Sequence, residues 1–554
     1  MTFPLPSPYP PAVDAHIWRG YRPVRGQLSV GLLMQRADEA EQWATSVLNL
    51  LIADPAVKLD AVFRAADVPV RTARDNSLFR SLRSRRRAAL FQAVRLRVRP
   101  ACCFIDVEYD SERRAFAEEA REAIRKRDLD VLLWLDSHPL QGDCSGLARL
   151  GVWSLYFGDR EKPRAQPPCK DIRLVSLQRH IERFEKSELL ASYTDAAKTS
   201  EAFSKTADRL AERAAVMLIR SLLDALECPD RFRDKACSTQ APSNLGRAAS
   251  LEAPVLFKTS ASSQSRFGAG ARALLSRSRR HKRSFVALRR KDQLTNRPFH
   301  TDGFIELKEP NGNVYADPFL IEREGKHWLF VEEVPQGASK GRITCFEVLD
   351  NNVLGEPCVA LEKPYRLGYP CVFEHGGDWF LLPDSAANRK VLLYRAIQFP
   401  HRWELITSFV EGPAVVGTTP LFLDGMWYFF TSTKEPGSET FLFCSAKLEG
   451  PWHYHPANPI CSDASRAGSA GALFYRDGKL IRPSRDCSLR CGRSIAFNEV
   501  TRLSPGEYAE RVVQNISPDW HPNLFETHTY NSDGMYEAIS GMKGFSLVGR
   551  AAGI

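Results

Sequence analysis

A repeat of about 50 residues in the C-terminal half constrains this 554-residue chain more than any other feature. Its mark is a turn glycine followed by an aromatic or aliphatic run: GKHWLFVEE at Gly325, GDWFLLPDS at Gly377, GMWYFFTST at Gly425, GKLIRPSRD at Gly478 and GMYEAIS at Gly534. The spacings are 52, 48, 53 and 56 residues. A strand-like run precedes each glycine (ADPFLI, YPCVFE, TPLFLD, ALFYRD, HTYN), and the first four copies are followed by another (RITCFEV, KVLLYRA, TFLFCSA, RSIAFNE). A small sheet of about four strands cannot bury both faces alone, so such a period predicts blades stacked around an axis. Five copies predict a five-bladed β-propeller over residues 284–548. A pair of β-sandwiches would not produce this even spacing.

The N-terminal half has a different texture. Apolar runs QLSVGLL (27–33), AVFRAA (61–66) and LDVLLWL (129–135) alternate with helical patterns over 37–52, 111–126 and 201–226. Strands alternating with helices predict a parallel α/β sheet over residues 25–228. No G-x-G-x-x-G follows the first strand, so a dinucleotide fingerprint is absent. Residues 1–24 read as a Pro-rich extension with neither signal- nor transit-peptide character. Residues 229–283 read as a linker with a basic cluster. The expected fold class is therefore multidomain, α/β plus all-β.

The net charge of +10 is concentrated in two runs. Residues 71–100 hold ten arginines against one acid, Asp75, and residues 266–291 contain Arg277, Arg279, Arg280, Lys282 and Arg283. Such runs suit phosphate-bearing partners, a sugar nucleotide or anionic lipid, or they are solvated surface. No aromatic platform is interleaved with them, which argues against a specific nucleic-acid partner. The thirteen cysteines include no C-x-x-C pair, so neither a zinc site nor a disulfide framework is expected. No metal or cofactor is expected. No stretch of 18 uncharged apolar residues occurs, so no membrane span is expected. A cytoplasmic location fits best, with the basic runs leaving room for peripheral contact at the inner membrane face.

Inner propeller strands line one channel. Aligning the runs before each glycine puts Asp317, Tyr369, Thr419, the Ala470–Gly471 pair and His528 at equivalent positions. The runs after the glycines end in Glu332–Glu333, Asp384, Ser432, Arg485–Asp486 and Glu537. Carboxylates, imidazole, guanidinium and phenol at one mouth suit sugar recognition, and two opposed carboxylates suit acid/base work on a glycosidic bond. The expected catalytic residues are Asp317 and Asp384; Glu333, Tyr369, Thr419, Arg482, Arg485, Asp486 and His528 are expected to bind substrate. Each has a plainer alternative: Asp317 before Pro318 bonds turn amides, His528 fills the core, and Arg482 and Arg485 pair with Asp486.

At YADPFL (315–320) the chain resembles the five-bladed propellers of the furanosidase superfamily, which include arabinanases and levansucrases. The ordered run WLFVEE, LGYPCVF, LLPDS, LYRAIQFPHRWEL, LEGPWHYHPANP, RAGSAGALF, IRPSRDCS and HTYN resembles the N-terminal propeller of plant glucosamine inositolphosphorylceramide transferases and its bacterial relatives. The resemblance implies Asp317 as general base and Asp384 as the second-blade carboxylate. It also implies a third-blade acid near VGTTPLF, where this chain has none; Asp424 sits in the turn. That gap disfavours ordinary glycoside hydrolysis.

DVLLWLDSHPLQGDCSGLARLGVWSLYFGD (130–159) with VSLQRHIERFEKSELL resembles the core of the formyltransferase fold. The matching catalytic positions hold Ser154, Tyr156 and, approximately, Glu185, with no imidazole to move the proton and no amide for the oxyanion. Formyl transfer is thus expected to be lost, while Asp136, Ser154, Tyr156 and Asp159 stay as candidates for a pocket at the strand ends. The leading expectation is a glycosyl-type transferase of surface-glycan or glycolipid biosynthesis, acting on a sugar nucleotide or glycosylated acceptor. The alternatives are a non-catalytic glycan-binding propeller and a sugar N-formyltransferase with an altered site.

Overall fold

The computed structural model describes residues 26–34, 39–41, 51, 56–67, 93–95, 103–110, 115–135, 142–157, 174–184, 187–194, 203–227, 232, 281–291, 299–308, 312–349, 352–409, 415–433, 439–488 and 492–545. The chain divides into two compact units, Met1–Ala241 and Pro242–Ile554.

The first unit is built on an eight-stranded sheet. Its strands are β1 (Leu28–Met34), β2 (Val57–Asp67), β3 (Cys103–Asp110), β4 (Ala115–Phe116), β5 (Val131–Trp134), β6 (Val152–Phe157), β7 (Leu174–His180) and β8 (Glu188–Thr194). The spatial order is β8-β7-β6-β5-β1-β2-β3-β4. The central pairings from β6 to β3 are parallel, as expected, but both edges are antiparallel, so the sheet is mixed. Strand β5 is apolar throughout, and β1 apart from Ser29 and Gly31, because both their faces are covered. Helix α1 (Glu118–Arg125) contributes Ala120 and Ile124 to the core on one face; helix α2 (Phe203–Glu227) contributes Leu210, Leu218 and Leu222 to the core on the other. Most of the expected helix over 37–52 lies outside the described residues; Glu39–Glu41 is a short strand paired with Ala93–Arg95.

The second unit is a five-bladed β-propeller. From the axis outward, blade I is Val314–Arg323, Lys326–Val334, Arg342–Leu349 and Val353–Leu354, with Cys358–Leu361 also paired to its third strand. Blade II is Gly368–His375, Asp378–Asp384, Val391–Gln398 and Arg402–Phe409; blade III is Val415–Leu423, Met426–Thr433, Thr440–Ser445 and His453–Tyr454. Blade IV has a broken inner strand (Gly468–Ser469 and Phe474–Arg476), then Lys479–Asp486, Ser494–Leu503 and Tyr508–Ile516. Blade V runs Leu524–Ser532, Tyr536–Phe545, then His281–Arg290 and Ile305–Glu306. Its third strand thus comes from the start of the unit, and ten antiparallel pairs from His281↔Phe545 to Arg290↔Tyr536 close the ring. This strand takes up the end of the expected linker, beginning three residues before position 284. Phe285, Val286, Ala287 and Leu288 are fully buried in it, which explains the apolar run there.

The repeat glycine has a specific task in four blades. Glu324–Gly325, Gly376–Gly377, Asp424–Gly425 and Asp477–Gly478 are two-residue hairpin loops in which both residues have positive φ. That is a type I′ turn, whose twist matches the strands it joins and whose second position favours glycine. Gly534 differs. There the loop is held by Asp533, whose carboxylate accepts the amides of Met535 (2.8 Å) and Tyr536 (2.7 Å).

Candidate functional site at the propeller mouth

Each of the first three inner strands carries a bulge at one register position. In blade I, Asp317–Pro318 bulges between the pairs Ala316↔Glu332 and Phe319↔Phe330; in blade II, Tyr369–Pro370 bulges between Gly368↔Asp384 and Cys371↔Leu382; in blade III, Gly417–Thr418 bulges between Val416↔Ser432 and Thr419↔Phe430. The first bulged residue is left-handed in all three, with φ of 47° at Asp317, 44° at Tyr369 and 65° at Gly417. A left-handed Asp or Tyr immediately before proline is a costly backbone state that the surrounding sheet must impose. The register also shows that Gly417, not Thr419, is the blade III counterpart of Asp317.

The same pairs define a second ring. Glu332, Asp384 and Ser432 face the start of each bulge, and Arg485 pairs with Gly468 in blade IV. Asp317 Oδ1 accepts hydrogen bonds from Arg485 Nη2 (2.8 Å) and Thr529 Oγ1 (2.6 Å). Burial alone would push the Asp317 carboxyl upward, but Arg485, the Thr529 hydroxyl and the positive fields of His528 and Arg366 hold it below the usual range. Asp384 Oδ1 accepts the Gly417 amide at 2.6 Å. Burial raises Asp384 to about 8, the neighbouring Asp317 and Glu332 charges adding to it against the pull of the Gly417 amide and Arg485. Glu332 is buried and clamped by Arg366 Nε (2.7 Å) and Nη2 (3.0 Å), and burial still raises it. At neutral pH the mouth therefore presents an ionised Asp317 beside a protonated Asp384. Two carboxyls whose environments drive them apart in this way supply one acceptor and one proton donor.

Arg366 was not among the residues expected from the sequence, and of the pair Glu332–Glu333 at the end of the blade I strand it was Glu333 that was expected to bind substrate. Adjacent strand residues, however, face opposite sides. Glu333 turns away from the ring and accepts from Asn313 Nδ2 (2.6 Å), Arg342 Nε (2.8 Å) and Thr344 Oγ1 (2.5 Å). The glycines beside Glu332 give the better clue: a Cβ at Gly368 would lie 2.6 Å from Glu332 Oε2, and one at Gly341 2.5 Å from Oε1.

Other residues expected to bind substrate are engaged with partners inside the protein. Tyr369 is buried, and its hydroxyl bonds Thr419 Oγ1 (2.9 Å) and accepts the Gly471 amide (2.9 Å), tying blades II, III and IV together. Neither Tyr369 nor Thr419 is available to a sugar. Arg482 is buried and bidentate to Glu510 (2.7 Å from both Nε and Nη2), so it does not reach the mouth. Asp486 accepts from the Ser488 amide (2.8 Å) and Ser494 Oγ (3.1 Å) and does not pair with Arg482 or Arg485. Arg485 is at the mouth, with Nε donating to the His528 carbonyl (2.9 Å). His528 is partly exposed and its Nε2 lies 2.9 Å from Glu526 Oε2. The structure therefore brings together Asp317, Asp384, Arg485 and His528 with Glu332, Arg366 and Thr529. No cluster of three or more potential metal ligands occurs among the described residues.

In the first unit, Ser154 Oγ lies 2.7 Å from His180 Nε2, and the Tyr156 hydroxyl lies 3.5 Å from the same nitrogen. Asp136 and Asp159 lie outside the described residues.

The fold and mouth define a five-bladed propeller with a polar, acid-bearing funnel. A family model described as glucosamine inositolphosphorylceramide transferase 1, N-terminal, matches residues 297–520, within the propeller. The glucosamine inositolphosphorylceramide transferases 1 of Oryza sativa subsp. japonica and Arabidopsis thaliana are 32% identical over 209 residues and 30% over 210. Each match covers 36% of this chain but only 28% and 27% of those proteins, so the chain spans about a quarter of their length. Similar solved structures include Zg3597, a family 117 glycoside hydrolase from Zobellia galactanivorans (12% identity, 47% of this chain and 90% of that one, TM-score 0.31). Another is the α-L-arabinanase of Cellvibrio cellulosa (11% identity, 36% of this chain and 77% of that one, TM-score 0.28).

Proposed function

We propose that the propeller is the sugar-handling centre of a glycosyl-type transferase in glycolipid or surface-glycan biosynthesis, using a sugar nucleotide or a glycosylated acceptor. The observation that carries this is the mouth itself: ionised Asp317 and protonated Asp384 beside the guanidinium groups of Arg485 and Arg366. The names of the relatives matched over the propeller support the same class. Asp317 would orient and deprotonate an acceptor hydroxyl, and Arg366 would face an anionic group on the donor. The test is turnover by the full chain with a panel of sugar nucleotides and glycan acceptors. Asp317→Asn should lower turnover by about 10²–10⁴-fold; unchanged binding and turnover would sink the proposal.

A second reading, a glycan-binding propeller without chemistry, is favoured by Ser432 standing where blades I and II have acids. Sugar affinity by calorimetry with no product from any donor would establish it instead. For the first unit we propose a formyltransferase-like domain that no longer transfers formyl groups, Ser154 and Tyr156 being tied to His180. Measurable folate binding would overturn that. We also propose a cytoplasmic, membrane-peripheral location resting on the arginine runs; failure of the full chain to bind anionic vesicles at low salt would remove the peripheral part.

A further inference from the structure

Far from the mouth, on the outer side of blade I, two thiols and an imidazole converge. Cys345 in the third strand and Cys358 in the edge strand are direct antiparallel partners. Partners of this kind hold their Cβ atoms about 4.5–5.5 Å apart, slightly wider than a disulfide needs and within reach of a small edge-strand shift. Cys345 is fully buried and Cys358 partly exposed. Cys358 Sγ lies 2.8 Å from Nδ1 of His401, an exposed residue at the start of the last strand of blade II. Nothing in the propeller's proposed chemistry uses these three groups.

We infer that Cys358, Cys345 and His401 form a two-cysteine oxidation site that closes to a Cys345–Cys358 disulfide when the protein meets a peroxide. The arrangement divides the labour in the usual way for such chemistry. Burial makes both thiols reluctant to ionise, so an adjacent base is needed to generate the thiolate nucleophile, and Nδ1 of His401 is placed to take the Cys358 proton. The Cys358 thiolate attacks one peroxide oxygen, the O–O bond breaks, and hydroxide leaves as Cys358 becomes a sulfenic acid. The Cys345 sulfur then attacks the Cys358 sulfur, expelling the hydroxyl as water with the Cys345 proton. In sum two thiols lose two electrons and two protons, and one peroxide becomes two waters. The edge strand Cys358–Leu361 is the piece of blade I that leads on to Arg366, so the bond would fasten the segment that carries the Glu332 clamp.

The test treats the folded full chain with hydrogen peroxide, quenches with acid and N-ethylmaleimide, and maps peptides without reduction. A linked peptide pair containing Cys345 and Cys358, lost after reduction, is expected. In Cys345→Ser the Cys358 sulfenic acid should persist and react with dimedone. His401→Gln should slow alkylation of Cys358 by iodoacetamide at least ~10-fold while leaving the circular dichroism unchanged. Free Cys345 and Cys358 after peroxide has oxidised other cysteines would overturn the assignment, and an unchanged alkylation rate in His401→Gln would remove His401 from it. Cys358→Ala provides the check on folding: it must abolish the linked pair without altering the thermal midpoint in reductant.

Discussion

Replacing Asp384 by asparagine tests the electrostatics of the mouth directly, because it fixes in place the neutral form that the fold already prefers. The native carboxyl titrates at about 8, against roughly 3.9 for an unfolded chain. Between these values the native state holds a proton that the unfolded state has lost. Stability therefore falls as pH rises, by up to ~1.4 kcal/mol per unit, and levels off above the folded value. The full excursion is about 6 kcal/mol, and nearer 2 kcal/mol if the solvent still in contact with this half-buried carboxyl screens it. The variant's side-chain amide cannot ionise, yet its oxygen can still accept the Gly417 amide. Asp384→Asn should thus match the wild type near pH 4 and exceed it by about 2–6 kcal/mol at pH 9. Six of the ten tryptophans lie in the propeller (Trp328, Trp379, Trp403, Trp427, Trp452 and Trp520), so urea midpoints followed by fluorescence from pH 5 to 9 report on it. The difference between variant and wild type cancels the titrating groups that do not feel Asp384, leaving its own titration and its coupling to Asp317 and Glu332. Two parallel curves would refute the raised carboxyl and with it the assignment of Asp384 as proton donor.

Two further substitutions probe the shell around it. Arg366→Gln removes the clamp on Glu332, whose carboxyl is already raised by burial, and should cost about 1–3 kcal/mol at pH 8 and progressively less as the pH is lowered and protonation relieves the unpaired charge; a loss that does not change with pH in urea denaturation would contradict it. Gly417→Ala puts a Cβ 2.4 Å from Ser469 Cβ at a φ of 65°, displacing the amide that Asp384 needs. It should lower stability by about 1–3 kcal/mol and shift the pH dependence of any turnover; a thermal midpoint equal to wild type would show that the bulge is not rigid.

Much of the propeller was legible because a type I′ turn demands residues that tolerate positive φ, and Asp-Gly, Glu-Gly and Gly-Gly recur at the blade period. The closure of the ring was not legible. His281–Arg290 lies about 250 residues from its partner strand and carries no repeat glycine. At the site, Asp317 and His528 were readable from the alignment of inner strands, and Asp384 and Arg485 from the ends of the strands after the glycines, whereas Glu332 was displaced by its neighbour Glu333. The inner-strand bulge explains why Thr419 was aligned in place of Gly417: it changes the facing of every residue after it, and periodicity alone cannot count through it. Tyr369 was misread for the opposite reason: its position is right for the mouth, but its ring packs 4.8 Å from Phe319 and its hydroxyl is consumed by Thr419 and Gly471.

The ring of Glu332, Asp384, Ser432 and Arg485 also bears on which bond the proposed transferase would break. Cleaving an ordinary glycoside releases an alkoxide, which needs a proton, and Asp384 is the donor in reach of the mouth's other carboxyls. Cleaving a sugar nucleotide releases a phosphate, which needs a cation more than an acid. Arg485 is held by Asp317, Thr529 and the His528 carbonyl, while the Arg366 side chain, though paired with Glu332, is 69% exposed, so of these two described cations Arg366 is the more open to such a group. The two substitutions therefore separate the donors. With a sugar nucleotide, Arg366→Gln should lower turnover at least ~10-fold and Asp384→Asn far less; with a glycoside donor the order should invert. Equal sensitivity to both would mean that the mouth orients substrate without assisting the leaving group, and the glycan-binding reading would then gain the advantage.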